Sequence, residues 1–199
     1  MRRKSMVWVL LVLVVLGVLF YFLFCPNPYR SVEEETEVIS INVSAAEEEW
    51  QEFYPASHRF VVMMPVVPQY AHESVPASQG EGSVQYNMYF AQSRRGTTYL
   101  VNVIEYPPSF DLSNVDALLR GVAQEMVSGN SSNQLLKEDR KEILGCPSID
   151  FVIKNDEVLA QTRAMLRGNT LFVLTVMDKE QEYLQTQFAR FTNSFHFPR

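Results

Sequence analysis

Histidine is almost missing from this 199-residue chain, with three copies, and cysteine is rarer still, with two. Each shortage removes a class of chemistry. Cys25 sits at the edge of an apolar run and Cys146 lies deep in the remaining sequence, so they are poorly placed to pair and no disulfide framework is available. No CxxC pair, HExxH motif, GxSxG elbow, SxxK pair or glycine-rich phosphate loop occurs. With only His58, His72 and His196, a Ser-His-Asp arrangement has few bases to draw on. Basic residues are short too: 17 Lys and Arg stand against 23 Asp and Glu, a formal net charge of −6, and Arg2, Arg3 and Lys4 crowd the extreme N-terminus. A phosphate backbone needs clustered Lys and Arg, so nucleic acid is excluded as a partner.

What is present begins with an unbroken uncharged run from Met6 to Cys25, mostly Val, Leu and Phe. At 1.5 Å per residue such a run is about 30 Å long, the thickness of a bilayer's hydrocarbon core. A cleaved signal peptide has a shorter core and small residues before the cut, whereas Phe22 and Phe24 precede Cys25 here. A lipoprotein signal with Cys25 as the lipidated residue also needs a small residue where Phe24 stands. The third reading, an uncleaved signal anchor over residues 6–25, fits best. Basic residues before the run and Glu33–Glu35 after it put residues 1–5 in the cytoplasm and the rest outside. The expected location is a bacterial inner membrane, with the C-terminal part on the periplasmic side. The lipid bilayer is then a partner through the N-terminal helix.

Residues 26–52 read as an acidic tether: Pro26 and Pro28 stop the helix, and Glu33–Glu35 and Glu47–Glu49 keep the chain extended. A short helix near Ala45–Phe53 is allowed. Residues 53–199 read as one extracytoplasmic domain, with enough apolar residues (47% of the chain) for a core. His58–Met64 reads as a strand, and the stretch from Pro65 to Gly82 as a long loop. Val84, Tyr86, Met88 and Phe90 alternate as in a half-buried strand, with Tyr89 on the other face. Arg94-Arg95-Gly96 turns the chain into a second strand, Thr98–Tyr106. Ser113 with Asp116 reads as a helix cap, followed by Val115, Leu118, Leu119, Val122 and Met126 on one helical face, with Gly129 as the stop. Leu135–Ile143 and Ile149–Ile153 are strands about a Gly145-Cys146-Pro147 turn. Val158–Leu166 and Leu171–Met177 follow, the last being the most apolar and therefore central. Asp178 caps a final helix carrying Leu184, Phe188 and Phe191. Hairpins interrupted by two helices predict α+β, a mainly antiparallel sheet with two packed helices, preceded by one transmembrane helix.

Three stretches carry a family resemblance. Phe60-Val61-Val62-Met63-Met64-Pro65 is similar to an opening strand that ends in proline. Leu144-Gly145-Cys146-Pro147-Ser148-Ile149-Asp150 is similar to a small-residue turn leading into a middle hairpin. Arg163 to Thr175, with Phe188, Phe191, Asn193, Ser194 and Phe195, is similar to a closing strand and helix. Together, over roughly residues 55–197, they resemble the Mog1/PsbP-like superfamily and, within it, a membrane-anchored bacterial group of unknown role. The resemblance implies an α/β/α sandwich and binding or assembly work, and it carries over no catalytic residue.

The residues themselves offer little for catalysis or cofactor binding. Glu138/Asp139 and Asp156/Glu157 can run acid/base chemistry only in a pocket that separates their pKa values, and otherwise are solvated charges. His72 and Glu73 are adjacent candidates for a surface metal, but neighbours in a loop rarely converge. No cofactor is expected. The more suggestive cluster is Tyr86, Tyr89 and Tyr99 with Arg94 and Arg95, residue types enriched at interface hot spots, on one expected hairpin. The bland alternative is that these tyrosines pack on the sheet. The expected function is a binding or assembly module that contacts another membrane or envelope protein. A small-ligand or metal carrier is the alternative, and a hydrolase stands behind it.

Overall fold

The computed structural model describes residues 49–199 except His58, Glu157 and Arg199. The expected anchor at 6–25, with Cys25, and the expected tether through residue 48 lie outside the described residues. Among those described, no helix is long and apolar enough to cross a membrane.

Nine strands and two helices make up the described region. In order they are β1 (Gln51–Phe53), β2 (Val62–Met64), β3 (Gln69–Pro76), β4 (Ser83–Gln92), β5 (Thr98–Glu105), α1 (Val115–Ser128), β6 (Gln134–Ile143), β7 (Cys146–Lys154), β8 (Leu159–Arg167), β9 (Thr170–Asp178) and α2 (Gln181–Ser194). β1 and β2 form a separate two-stranded ribbon, and the other seven strands form one sheet of order β3-β4-β5-β9-β8-β7-β6. Every pairing is antiparallel. The expected α+β class with two helices on a mainly antiparallel sheet is what folds.

β9 is central because its sequence, TLFVLTVMD, has apolar residues on both faces, and its first seven residues are buried. Alternation along the strands divides the core into two layers. Tyr99, Val101 and Val103 of β5 and Phe172, Leu174 and Val176 of β9 meet Leu184, Phe188 and Phe191 of α2, with Phe60 and Phe195 between. Phe60 stacks on Phe195 at 5.4 Å and meets Phe172 edge-on at 6.4 Å. On the opposite face α1 buries Leu119 and Ala123 over β6, β7 and β8. The described region is therefore layered helix, sheet, helix.

Several local expectations shift. The expected first strand, His58–Met64, shortens to Val62–Met64; Phe60 is core, and Val61 bridges His196 through two backbone hydrogen bonds of 2.9 and 3.0 Å. The end of the expected tether is not helical: Gln51–Phe53 is a strand, and Trp50 packs edge-on against Tyr99 at 5.2 Å. The expected loop from Pro65 to Gly82 contains β3, an edge strand whose one-sided pairing leaves most of its residues exposed. α1 is capped by Asn114, whose Oδ1 accepts from Ala117 N at 3.0 Å. Ser113 is instead held by Asp111, which accepts its backbone N–H at 2.9 Å. The β6–β7 turn is Leu144-Gly145, one residue earlier than expected, with φ of 54° and 71°. Both residues are left-handed, as a two-residue hairpin turn that matches strand twist requires.

Candidate interaction surface

The tyrosines expected on a partner surface are not on the surface. Tyr86, Tyr89 and Tyr99 are 4%, 6% and 0% exposed. The strand period separates them, since Tyr86 faces the α1 layer while Tyr89 and Tyr99 face the α2 layer. Tyr99 packs against Trp50 and Phe191 and donates its hydroxyl proton to Gln187 Oε1 at 3.0 Å. Tyr89 lies beneath Tyr70 (5.1 Å) and beside Phe53 (5.3 Å) and Phe60 (5.5 Å), and burial pushes its phenol pKa up. Of the five residues, Arg94 and Arg95 alone are exposed, at the β4–β5 tip. Arg95 is ion-paired with Glu180 and its guanidinium lies 4.0 Å over the Tyr183 ring, so it clips the tip to the start of α2.

The most exposed aromatic among the described residues is Tyr70, the ring above Tyr89. It is 58% exposed; Val67 just before it is 77% exposed, and Tyr54 is 52% exposed. Tyr54 follows Phe53, which touches the same Tyr89 ring. Tyr70 donates to Asn87 Oδ1 at 2.8 Å, which fixes its ring across the β3–β4 ladder, and His72 Nδ1 lies 3.2 Å from the same oxygen.

β3 ends the sheet, and among the described residues no strand pairs with its outer backbone row. The two sheet edges differ in their defences. β6 carries six consecutive charged residues, Lys137 to Glu142, and a bulge at Leu136, features that discourage strand addition. β3 pairs with β4 in unbroken register over eight residues and carries one acid, Glu73. Its alternation was hidden because prolines and glycines bracket a short, polar, edge-exposed strand.

Behind β6 the sheet face next to α2 carries a charged network. Arg163 donates to Asp150 through Nε and Nη2, both at 2.8 Å, and Lys141 Nζ lies 3.1 Å from Asp150 and 3.3 Å from Asp139. Burial raises the Asp150 pKa, but Arg163 and Lys141 outweigh it and hold the carboxyl below its ordinary value. A depression of about 60 Å³ lies over this network. Its charges are already matched, so the bidentate pair acts as a brace for β6, β7 and β8.

The other candidate pairs do not converge. His72 and Glu73 are neighbours on a strand and point to opposite faces, opposite Asn87 and Tyr86. Glu138 and Asp139 separate in the same way on β6. His196 is exposed with Nδ1 3.1 Å from Ser194 O. His58, and Glu157 of the Asp156/Glu157 pair, lie outside the described residues. Among the described residues no three His, Cys, Asp or Glu gather as a metal site would need. Cys146 is buried as the first residue of β7, and burial raises its thiol pKa.

Neither a protein-family model nor any curated protein sequence matches the chain. Solved structures do. Cyanobacterial PsbP (CyanoP) from Synechocystis sp. PCC 6803 aligns with a TM-score of 0.50 at 12% identity, over 80% of this chain and 99% of that one. A protein of unknown function from Pseudomonas aeruginosa aligns with a TM-score of 0.35 at 10% identity, over 75% of this chain and 97% of that one. The fold is PsbP-like.

Proposed function

We propose that this PsbP-like chain is a membrane-anchored binding or assembly module. In this reading residues 6–25 hold it in a bilayer, residues 26–52 act as a spacer, and the domain from residue 53 contacts another membrane or envelope protein outside the cytoplasm. The observation that carries the reading is the β3 edge, unpaired on its outer side among the described residues, with Tyr70 and Val67 beside it. An unblocked edge can accept a partner strand through main-chain hydrogen bonds, and a half-fixed aromatic supplies an anchor. The charge asymmetry around residues 6–25 supports the orientation. The family resemblance points the same way.

The test is cross-linking in native membranes, recovery through a C-terminal tag and mass spectrometry, comparing the natural chain with Tyr70→Lys and Lys137→Glu. A recurrent partner that is lost with Tyr70→Lys and kept with Lys137→Glu is the expected result. Retention in both variants moves the surface away from β3. A chain that recovers no neighbour removes the assembly reading.

A further inference from the structure

We propose, resting on the β3-edge reading above, that the strand this edge takes is the β3 of a second copy of the chain, antiparallel about a two-fold axis through Ala71.

The hydrogen-bonding sense of the edge follows from one turn. Ala77 N–H donates to Gly82 O at 3.0 Å, and Pro76 stands opposite Ser83. Bonded and non-bonded pairs alternate along an antiparallel ladder. Val75, Glu73, Ala71 and Gln69 therefore turn their N–H and C=O groups inward to β4. Tyr70, His72 and Ser74 turn theirs outward, where no strand meets them among the described residues. Pro76 falls on the outward row, where its missing N–H takes nothing from the β4 ladder.

A two-fold axis normal to the sheet joins two copies of this edge with each face kept on its own side. Residues that stand opposite one another must then share a face, so the axis passes through a residue rather than between two. An axis at Glu73 sets two carboxylates against each other, and like charges directly opposite are destabilising. An axis at His72 sets imidazole against imidazole and Glu73 against Ala71. An axis at Ala71 sets Gln69 against Glu73 on one face and Tyr70 against His72 on the other. The glutamine amide then donates to a carboxylate that has no ion pair among the described residues. Tyr70 and His72 exchange both main-chain bonds on each side of the axis, and Ser74 N–H meets the carbonyl of Pro68. Just past the strand's end, the exposed Val67 comes level with Val75. The smallest side chain of the strand sits at the axis, where two backbones in a non-bonded pair come closest. A foreign strand would have to match this pattern, whereas a second copy already does.

The test uses the full chain in native membranes and in detergent, in a Cys25→Ser background that leaves Cys146 buried. Ala71→Cys sets two thiols on the axis with Cα atoms about 4.5 Å apart, a span that a disulfide bridges. Gln69→Cys and Ser74→Cys are controls on the same exposed strand, whose two copies lie more than about 10 Å apart across the axis. Mild oxidation should give dimer at position 71 in at least tenfold the yield at 69 or 74. Adding His72→Pro removes one outward N–H, keeps the β4 ladder and should lower that yield several-fold. No dimer at 71, equal yields at the three positions, or a yield untouched by His72→Pro would overturn the proposal. If self-pairing fails while a foreign partner is still lost with Tyr70→Lys, the edge belongs to that partner and the assembly reading stands. A dimer at 71 with no foreign neighbour supports self-pairing and removes contact with another protein.

Discussion

Replacing Glu125 by Gln should stabilise the protein above neutral pH. Burial raises the Glu125 carboxyl from the ordinary 4.5 to about 7. The folded state therefore binds a proton more tightly than the unfolded state, and stability falls as pH rises from about 4.5 to about 7. The full shift, at about 1.4 kcal/mol per unit, sets a ceiling of about 3 kcal/mol. Oε1 is shut away but the residue as a whole is half-buried. Solvent screening then leaves about 1–2 kcal/mol. Gln keeps the shape and cannot ionise. Urea unfolding of both proteins from pH 4.5 to 8.5, in buffer free of amines, gives two curves whose difference isolates this one group. The curves should nearly meet at pH 4.5 and separate by about 1–2 kcal/mol at pH 8, with the variant the more stable. Parallel curves across the range would refute the assignment of a buried, unpaired carboxylate.

Other expectations follow from the same geometry. Asp150→Asn breaks a pair whose members are 12% and 13% exposed and should lose about 2 kcal/mol at pH 7. Because the folded Asp150 pKa is depressed, the pair's stabilisation is present above the unfolded value near pH 4 and is lost on acidification through the folded value, so acid unfolding should be less steep in the variant. Leu144→Asn relieves a non-glycine residue at φ 54° with an exposed side chain and should stabilise by about 1 kcal/mol in urea titration. Gly80→Ala should destabilise by at least about 1 kcal/mol, since its Cβ would stand 2.7 Å from Ser109 O at φ +74°. Gly121→Ala meets nothing within 4 Å inside α1 and should stabilise by about 1 kcal/mol. The opposite signs of the two glycine variants can be read in one thermal scan.

The sequence was most readable where one physical signal dominated. β9 is apolar on both faces and could only be central. Leu184, Phe188 and Phe191 recur at helical spacing and do line α2. The β4–β5 hairpin announced itself by alternation, and the same alternation assigned Tyr89 to the face opposite Tyr86. Identity of face did not extend to exposure. The sequence cannot show that the β1–β2 ribbon and α2 cover the face of that hairpin that carries Tyr89 and Tyr99, or that Tyr86 is buried on the other. That is why aromatic rings expected at a partner surface became core. β3 and β1 were illegible for a related reason: a short edge strand buries too little to imprint a pattern. The buried oxygens of Asn102 and Glu125, which meet no donor among the described residues, have no sequence signature, because they depend on what the surrounding elements fail to provide.

The central pairing of β5 with β9 joins residues 98–105 to residues 170–178. On either side of that seam the strands follow one another as simple meanders, β3 to β5 and β6 to β9. Local hairpins close quickly, whereas contacts across a long loop form only after a larger entropic barrier. The seven-stranded sheet thus consists of two locally wound halves and one late joint between them. A cut in the Pro107–Asn114 connection would leave both meanders intact and turn the joint into an association step. Two such fragments should find each other through β5 and β9, and the order of that recombination would make the slow event of folding visible as a concentration-dependent one.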